Sequence, residues 1–379
     1  MYKIDISERT LHFKQPAGTS RGVYTTRHSY YLHLTSDEAP GVEGVGECAT
    51  LPDLSCDAKP EYEVTLRQIC QMVEQMGRIP YDMIRAYPSI TFGLETAFAS
   101  FFEAARRKHL LATRGDAARQ NTLVVPTGQN ALAVPAWSQN LASLYDSPFA
   151  RGEEGITING LVWMGTYEEM LARLEEKLKA GFHCVKLKIG AIDFFKELDL
   201  IKRIREVYNK EQVELRVDAN GGFSPEDAMS RLEALAQYDI HSIEQPVKQH
   251  QWRKMEELCR ESPLPIALDE ELIGVNVRSM KEALLDTIRP QYIILKPSLH
   301  GGMYGCQEWI QLAEQRGIGS WITSALESNV GLNAIALFCA RMYGPDVKMP
   351  QGLGTGQLFT DNIPMPLEIR GDKLVRSEE

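Results

Sequence analysis

Apolar and polar positions change rhythm three times along the chain. Near the start, Tyr2, Ile4 and Ile6 alternate with polar neighbours, and Tyr30, Leu32 and Leu34 repeat the pattern with Tyr31 and His33 on the opposite face. A period of two marks a half-buried strand. Residues 1–55 are therefore expected to be strands, with PAGTSRG as the loop between the first two. Over residues 60–109 the period lengthens: Ile90, Leu94, Ala97, Phe98, Phe101 and Ala105 recur at helical spacing behind Ser89, a candidate N-cap. Strands followed by helices predict a small α+β unit. From about 110 to 153, a stretch that includes VVPTGQNALAVPAWSQN sustains no period. So long an irregular stretch is unusual in a compact protein, so part of it is expected to pack on another surface.

Beyond it, short β-rich runs alternate with helical ones. The strand candidates are ITINGLVW, HCVKLKI, VELRVDA, HSIEQ, LPIALDE, QYIILKP and GSWITS, separated by stretches such as YEEMLARLEEKLKA and PEDAMSRLEALAQ. Such alternation implies parallel strands joined by crossover helices. Seven or eight units favour a closed barrel over an open doubly wound sheet. The 379 residues suit a barrel of roughly 250 residues with a smaller second unit. PLEIRGDKLV reads as a hairpin expected to return to the N-terminal unit.

Composition narrows the partners. Hydrophobic residues at 44% and charged residues at 24% describe a globular chain with a sizeable core. A formal net charge of −10 without a long basic cluster argues against nucleic acid. There is no apolar run of about twenty residues to span a bilayer, and no signal peptide in MYKIDISERTLHF. The seven cysteines are odd in number and form no CxxC pair, which reads as reduced thiols in the cytoplasm. The net charge says nothing about the substrate's own charge, because a buried site is set by its near neighbours. The small-molecule carboxylate expected as partner follows instead from the charged residues of the strands. Composition leaves room for a homo-oligomer.

The chemistry lies in the charged residues of the strands. Lys186 and Lys188 fall on the second barrel strand, Asp218 ends the third, Glu244 the fourth, Asp269 the fifth and Lys296 the sixth, at spacings from Lys188 of 30, 26, 25 and 27 residues. Each spacing is about one β/α unit, so these residues converge on the C-terminal mouth of a barrel, where such enzymes keep their active sites. Buried charges need partners. Three carboxylates around a divalent cation, flanked by lysines, neutralise one another, and oxygen-only ligation selects Mg²⁺ or Mn²⁺ over zinc. Removing a proton next to a carboxylate creates an enediolate that a fixed cation stabilises, and a neutral lysine can be the base.

The pieces VKLKIG, RVDANGGFSPEDA, SIEQP, IALDEEL, ILKPSLHGG and SALESNVGLNAIA together resemble the enolase superfamily, in its muconate lactonizing enzyme subgroup. The resemblance implies an α/β fold, a (β/α)7β barrel (121–364) under an α+β capping domain (1–120, completed by 365–379). It also implies Asp218, Glu244 and Asp269 as Mg²⁺ ligands and Lys188 and Lys296 as facing acid/base groups. By the same carry-over Lys186, Ser324, Ala325 and Glu327 contact substrate, while Asn220 and Glu270 support the ligands from behind. Within the subgroup, the TSRG loop, the GEC segment at Glu47, LYDSPFARGEEGITINGLVWMG and SALESNVGL resemble the branch that dehydrates a succinylated hydroxycyclohexadiene carboxylate in menaquinone synthesis. The runner-up is a racemase of N-acylated amino acids, and the weakest alternative a barrel that only binds. Residues 349–358, MPQGLGTGQL, hold no acid to pair a substrate ammonium. His300 is read as shaping its turn. Ser328 either binds a carboxylate or caps the following helix.

Overall fold

The alternation at the N-terminus extends further than its pattern suggests. In the computed structural model, which describes residues 1–19, 22–113, 141–190, 192–345, 347 and 349–377, strand β1 (Tyr2–Thr19) pairs antiparallel with β2 (Gly22–Ser36), and β2 with β3 (Gly44–Cys48). PAGTSRG is thus not one loop. Ala17, Gly18 and Thr19 pair with Tyr24, Val23 and Gly22 after a register shift between His12 and Ala17. The irregularity accommodates Pro16, which has no N–H to give to a ladder. Ser20 and Arg21 lie outside the described residues.

Leu32 and Leu34 are fully buried in one core with helices α1 (Tyr62–Met76), α2 (Tyr81–Ile84) and α3 (Pro88–Thr113). Helix α3 lies directly on β3: a Cβ on Gly46 would stand 1.9 Å from the Gly93 carbonyl oxygen. Ser89 is not the N-cap, because the helix begins at Pro88. Its N–H and Oγ–H instead donate to Asp57 Oδ2 at 2.9 and 2.7 Å, so Asp57 satisfies the helix start from another segment. Burial pushes Asp57 up to about 6 against those donors. Of the irregular stretch, α3 takes the residues up to Thr113, and Leu141–Asp146 forms a 3₁₀ turn that buries Leu141 and Leu144. Residues 114–140 lie outside the described residues.

The barrel follows. After β4 (Ile156–Thr157), strands β5 (Gly160–Val162), β6 (Cys184–Lys188), β7 (Glu214–Asp218), β8 (Ser242–Glu244), β9 (Ile266–Leu268), β10 (Tyr292–Leu295) and β11 (Gly319–Ile322) form one parallel sheet in chain order. Helices α4 (Tyr167–Lys179), α5 (Phe194–Val207), α6 (Ala228–Ala236), α7 (Trp252–Glu261), α8 (Arg278–Ile288) and α9 (Gly302–Glu314) connect them, and α10 (Asn329–Tyr343) follows β11. Two of these helices show two different reasons for forming. Helix α4 opens with a capping box, Thr166 and Glu169 satisfying each other's backbone N–H. Helix α6 turns Ala228, Leu232 and Leu235 inward at helical spacing, and burying each leucine contributes about 1.5–3 kcal/mol.

The sheet closes through two residues. Ile158 bridges Gln351 and Thr323 bridges Gly352, both in parallel sense, which makes Gln351–Gly352 a minimal eighth strand between β11 and the entry to β5. The C-terminal hairpin, β12 (Leu367–Arg370) and β13 (Lys373–Arg376), pairs with β4 and not with the N-terminal sheet. It therefore seals the barrel entry, because Ile156 and Thr157 offer it a free strand edge.

Two buried carboxylates lock the first unit to the barrel. Glu47 on β3 accepts from Ser29 Oγ (3.0 Å), Ser328 N (2.9 Å), Ser328 Oγ (2.6 Å) and Gly331 N (2.9 Å), and so sits on the N-terminus of α10. Glu95 on α3 accepts from Met303 N and Tyr304 N at the start of α9. Carboxyl oxygens placed there satisfy N–H groups that the helix itself leaves unpaired; burial nevertheless pushes Glu95 up to about 8 against its two donors. Glu47→Gln keeps the shape, removes the charge and turns an amide N–H₂ toward donors, so we expect a loss of about 2–3 kcal/mol of stability. Urea unfolding measures it. An unchanged midpoint would mean that the cap contributes nothing.

Candidate active site

Strand register brings the charged positions to one level. Lys188 stands beside Asp218, and Asp218 beside Glu244. Asp269 lies just past β9 and Lys296 just past β10, at the same barrel mouth. Because side chains alternate, Lys186 points inward from one layer below Lys188. β6 and β10 are four strands apart in an eight-stranded ring, so Lys188 and Lys296 face each other across the mouth.

The ion pairs confirm that convergence. Lys186 Nζ reaches Glu244 Oε2 at 2.8 Å and Asp218 Oδ2 at 3.2 Å, Lys188 Nζ reaches Asp218 Oδ2 at 2.9 Å, and Lys296 Nζ pairs with Asp269 Oδ2. Lys188 also donates to Asn220 Oδ1 at 2.7 Å, and Asn220 Nδ2 donates to Glu270 Oε1 at 3.1 Å. Asn220 adopts a left-handed backbone (φ 45°) that asparagine tolerates, and its N–H donates to Asp218 Oδ1. That turn brings its side chain back to Lys188.

Charge at the mouth is out of balance. Asp218, Glu244, Asp269 and Glu270 face three ammoniums, and all four acids are buried. Burial, then Asp218, push Glu244 up to about 8 despite Lys186. Asp218 goes the other way: burial opposes its charge, but Lys188 and Lys186 hold it well below the usual carboxylate range. Lys186 is raised, because Glu244 and Asp218 outweigh its desolvation. Glu244 Oε1, Asp269 Oδ1 and Glu270 Oε2 are buried without a hydrogen-bond partner. Such orphaned oxygens are costly unless something positive meets them. Among the described residues no three such groups form a ready-made ligand set, and Lys186 and Lys296 occupy Glu244 Oε2 and Asp269 Oδ2. The donor set nevertheless fits a hard divalent cation, being all oxygen.

Above the carboxylates is a cavity with one polar and one apolar side. Ser324 and Ala325 line it, and Ser324 Oγ hydrogen-bonds Thr355. Glu327 does not line it: the residue is fully buried behind the loop, its carboxylate taken by Ser298 Oγ and by Ala325 N at 2.6 Å. Ser328 proves to be a helix cap, accepting from Val330 N at 3.1 Å. His300 Nδ1 accepts from Lys296 N at 2.9 Å, so the histidine shapes the Lys296 turn, and burial beside Lys296 and Lys281 keeps it neutral.

A family model described as enolase C-terminal domain-like matches residues 169–369. The chain belongs to the enolase superfamily. Among its relatives, the o-succinylbenzoate synthase of Desulfotalea psychrophila is 42% identical over 96% of each chain. The crystal structure of MenC from Desulfotalea psychrophila LSv54 matches with a TM-score of 0.72 at 39% identity, covering 98% of this chain and 99% of that one. The dipeptide epimerase from Enterococcus faecalis V583, solved with Mg and the dipeptide L-Leu-L-Tyr, matches with a TM-score of 0.74 over 99% of this chain and 96% of that one. At 17% identity the last likeness concerns the fold alone.

In this enolase-superfamily barrel, several cavity residues carry no motif in the sequence. Trp163 lines the cavity with Lys188 Nζ 5.9 Å from its ring centroid, and Tyr24, Leu51 and Leu54 reach it from the first unit. For Trp163, its place two residues beyond Leu161 on the strand that opens the barrel was the available signal.

Proposed function

We propose that the chain is an o-succinylbenzoate synthase, a hydro-lyase that dehydrates 2-succinyl-6-hydroxy-2,4-cyclohexadiene-1-carboxylate to o-succinylbenzoate in menaquinone synthesis. The observation that carries this reading is the 42% identity to such a synthase over 96% of both chains. The arrangement of Lys188, Lys296 and the buried carboxylates supports it with chemistry. Asp218, Glu244 and Asp269 would hold Mg²⁺, or Mn²⁺; Asn220 and Glu270 line the same cavity beside them, Asn220 bracing Asp218 through its backbone N–H. That ion supplies positive charge to the substrate carboxylate, whose oxygens gather negative charge as the α-proton leaves.

The residues divide the remaining work. Lys188, held by Asp218 and Asn220, first gives its own proton to water; as the free amine it then takes the α-proton, and the C–H electrons pass into the carboxylate to give the enediolate. Lys296 and Lys186 face that anion as ammoniums, which lowers the barrier to its formation. Lys188 then gives its proton to the hydroxyl as the C–O bond breaks, water departs, and the ring becomes aromatic. Lys188 is neutral again at the end. Leu51, Leu54 and Trp163 limit water on the apolar side of the cavity. The residues that form the cavity come from both the capping unit (1–120) and the barrel (121–364), the division this reading uses.

A second reading rests on one observation: Lys188 and Lys296 face each other across the mouth, which suits proton exchange on both faces of an α-carbon. We expect efficient o-succinylbenzoate formation, little epimerisation of dipeptides, because MPQGLGTGQL offers no acid for an ammonium, and at most weak racemisation of N-succinyl amino acids. The measurement is kcat/KM for all three with one Mg²⁺-loaded preparation. An amino-acid substrate ahead by tenfold, about 1.4 kcal/mol of transition-state preference, would replace the synthase with the racemase.

A further inference from the structure

We propose that Arg27 is a positioning residue that sets the width of the substrate cavity by tying its two walls to one guanidinium. Arg27 lies on the face of β2 turned toward the barrel, in line with Ser29 and Tyr31, and is 3% exposed. Its Nε donates to the Leu326 carbonyl at 3.2 Å, its Nη2 to the Ala325 carbonyl at 3.2 Å, and its Nη1 to the Thr50 carbonyl. Thr50 precedes Leu51, and Leu51 and Leu54 form the wall from the first unit. Ala325 and Leu326 form the wall from the barrel. Leu51, Ala325 and Leu326 share one small apolar cluster with Trp163 and Leu54.

Both walls are short irregular segments between regular elements, each held by few hydrogen bonds of its own. The first is a turn closed by Leu54 N and Ser55 N on the Leu51 carbonyl and by Leu51 N on Ser55 Oγ. The second holds Leu326 at φ 65°, a left-handed conformation that a branched side chain adopts only where its surroundings impose it. Arg27 holds it from the first unit, and Glu327, through Ala325 N, from behind. The guanidinium meets carbonyls alone in these contacts, while the buried Glu327 and Glu47 balance its charge from a distance. A planar fork can bond two walls at once, whereas a lysine ammonium of shorter reach cannot keep both.

The ligand in the test, o-succinylbenzoate, rests on the function proposed above. With the full chain loaded with Mg²⁺, Arg27→Lys and Arg27→Met are compared with wild type. Both are expected to weaken product binding and raise KM by about 10- to 100-fold, to leave Mg²⁺ affinity unchanged, and to speed amide exchange at residues 51–55 and 325–328 but not elsewhere in the barrel. Wild-type product affinity and exchange in Arg27→Lys would overturn the tie, because charge alone would then suffice. If Arg27→Met fails to fold, Arg27→Lys decides. If wild type binds no o-succinylbenzoate, the function reading fails, while the exchange rates still decide whether Arg27 joins the walls.

Discussion

Lys188→Ala is expected to abolish dehydration, lowering kcat by at least about 10⁴-fold, the upper end for loss of a general acid–base group. In the proposed scheme one amine does two jobs. Lys188 sits on Asp218 and Asn220, which fix its direction, beside Trp163. The proton it removes and the hydroxyl it protonates leave from one face of the ring, so no other group can take over the second transfer. Lys296 lies across the mouth on Asp269; in the same scheme it serves as a cation, and Lys296→Ala should impair turnover mainly by removing charge from the enediolate. Steady-state kinetics alongside Mg²⁺ titration separates the two roles. Near-normal turnover in Lys188→Ala with a dead Lys296→Ala would reverse them.

Chelation should remove activity completely, and Mg²⁺ or Mn²⁺ should restore it. Glu244→Gln, Asp218→Asn and Asp269→Asn should each weaken metal affinity by more than the roughly 10- to 100-fold seen when only an outer hydrogen bond to a ligand is lost. The expectation comes from the buried oxygens without partners on Glu244 and Asp269 and from the upward push on Glu244, both of which an added positive charge would relieve. Titration calorimetry reads affinity without reference to turnover. Equal Mg²⁺ affinity in all three variants would place the ion elsewhere, and full turnover after exhaustive chelation would end the scheme.

How much was legible in the sequence depended on which partner each residue has. The barrel was readable because every strand repeats a buried apolar run and every third or fourth helical position is apolar, both local signals. The charged positions were readable because one per unit, at spacings near a single β/α repeat, has no solvated place to go except the mouth. The capping side was harder. Arg27, Ser29 and Glu47 look like the wet face of a half-buried strand, and only the barrel helix lying against that face makes them interior. Asp57 caps α3 from outside it, so the nearby Ser89 drew the assignment instead. Glu327 carries the right motif but turns away from the cavity, since two close donors, Ser298 and Ala325, claim its oxygens. Gln351–Gly352 escaped, and so did β4 as the partner of the correctly read C-terminal hairpin, because two-residue pairings leave no periodicity to find.

That two-residue seam also orders events in time. Ile158 can meet Gln351, and β4 can meet β13, only after the ribosome has made residues 351 and 374, although their partners emerged some two hundred residues earlier. Phe13 likewise waits for Phe359. Contacts so distant along the chain are reached late in folding. The nascent barrel is therefore carried as an open arc, its first strand edge exposed, while about half of the chain is still being made.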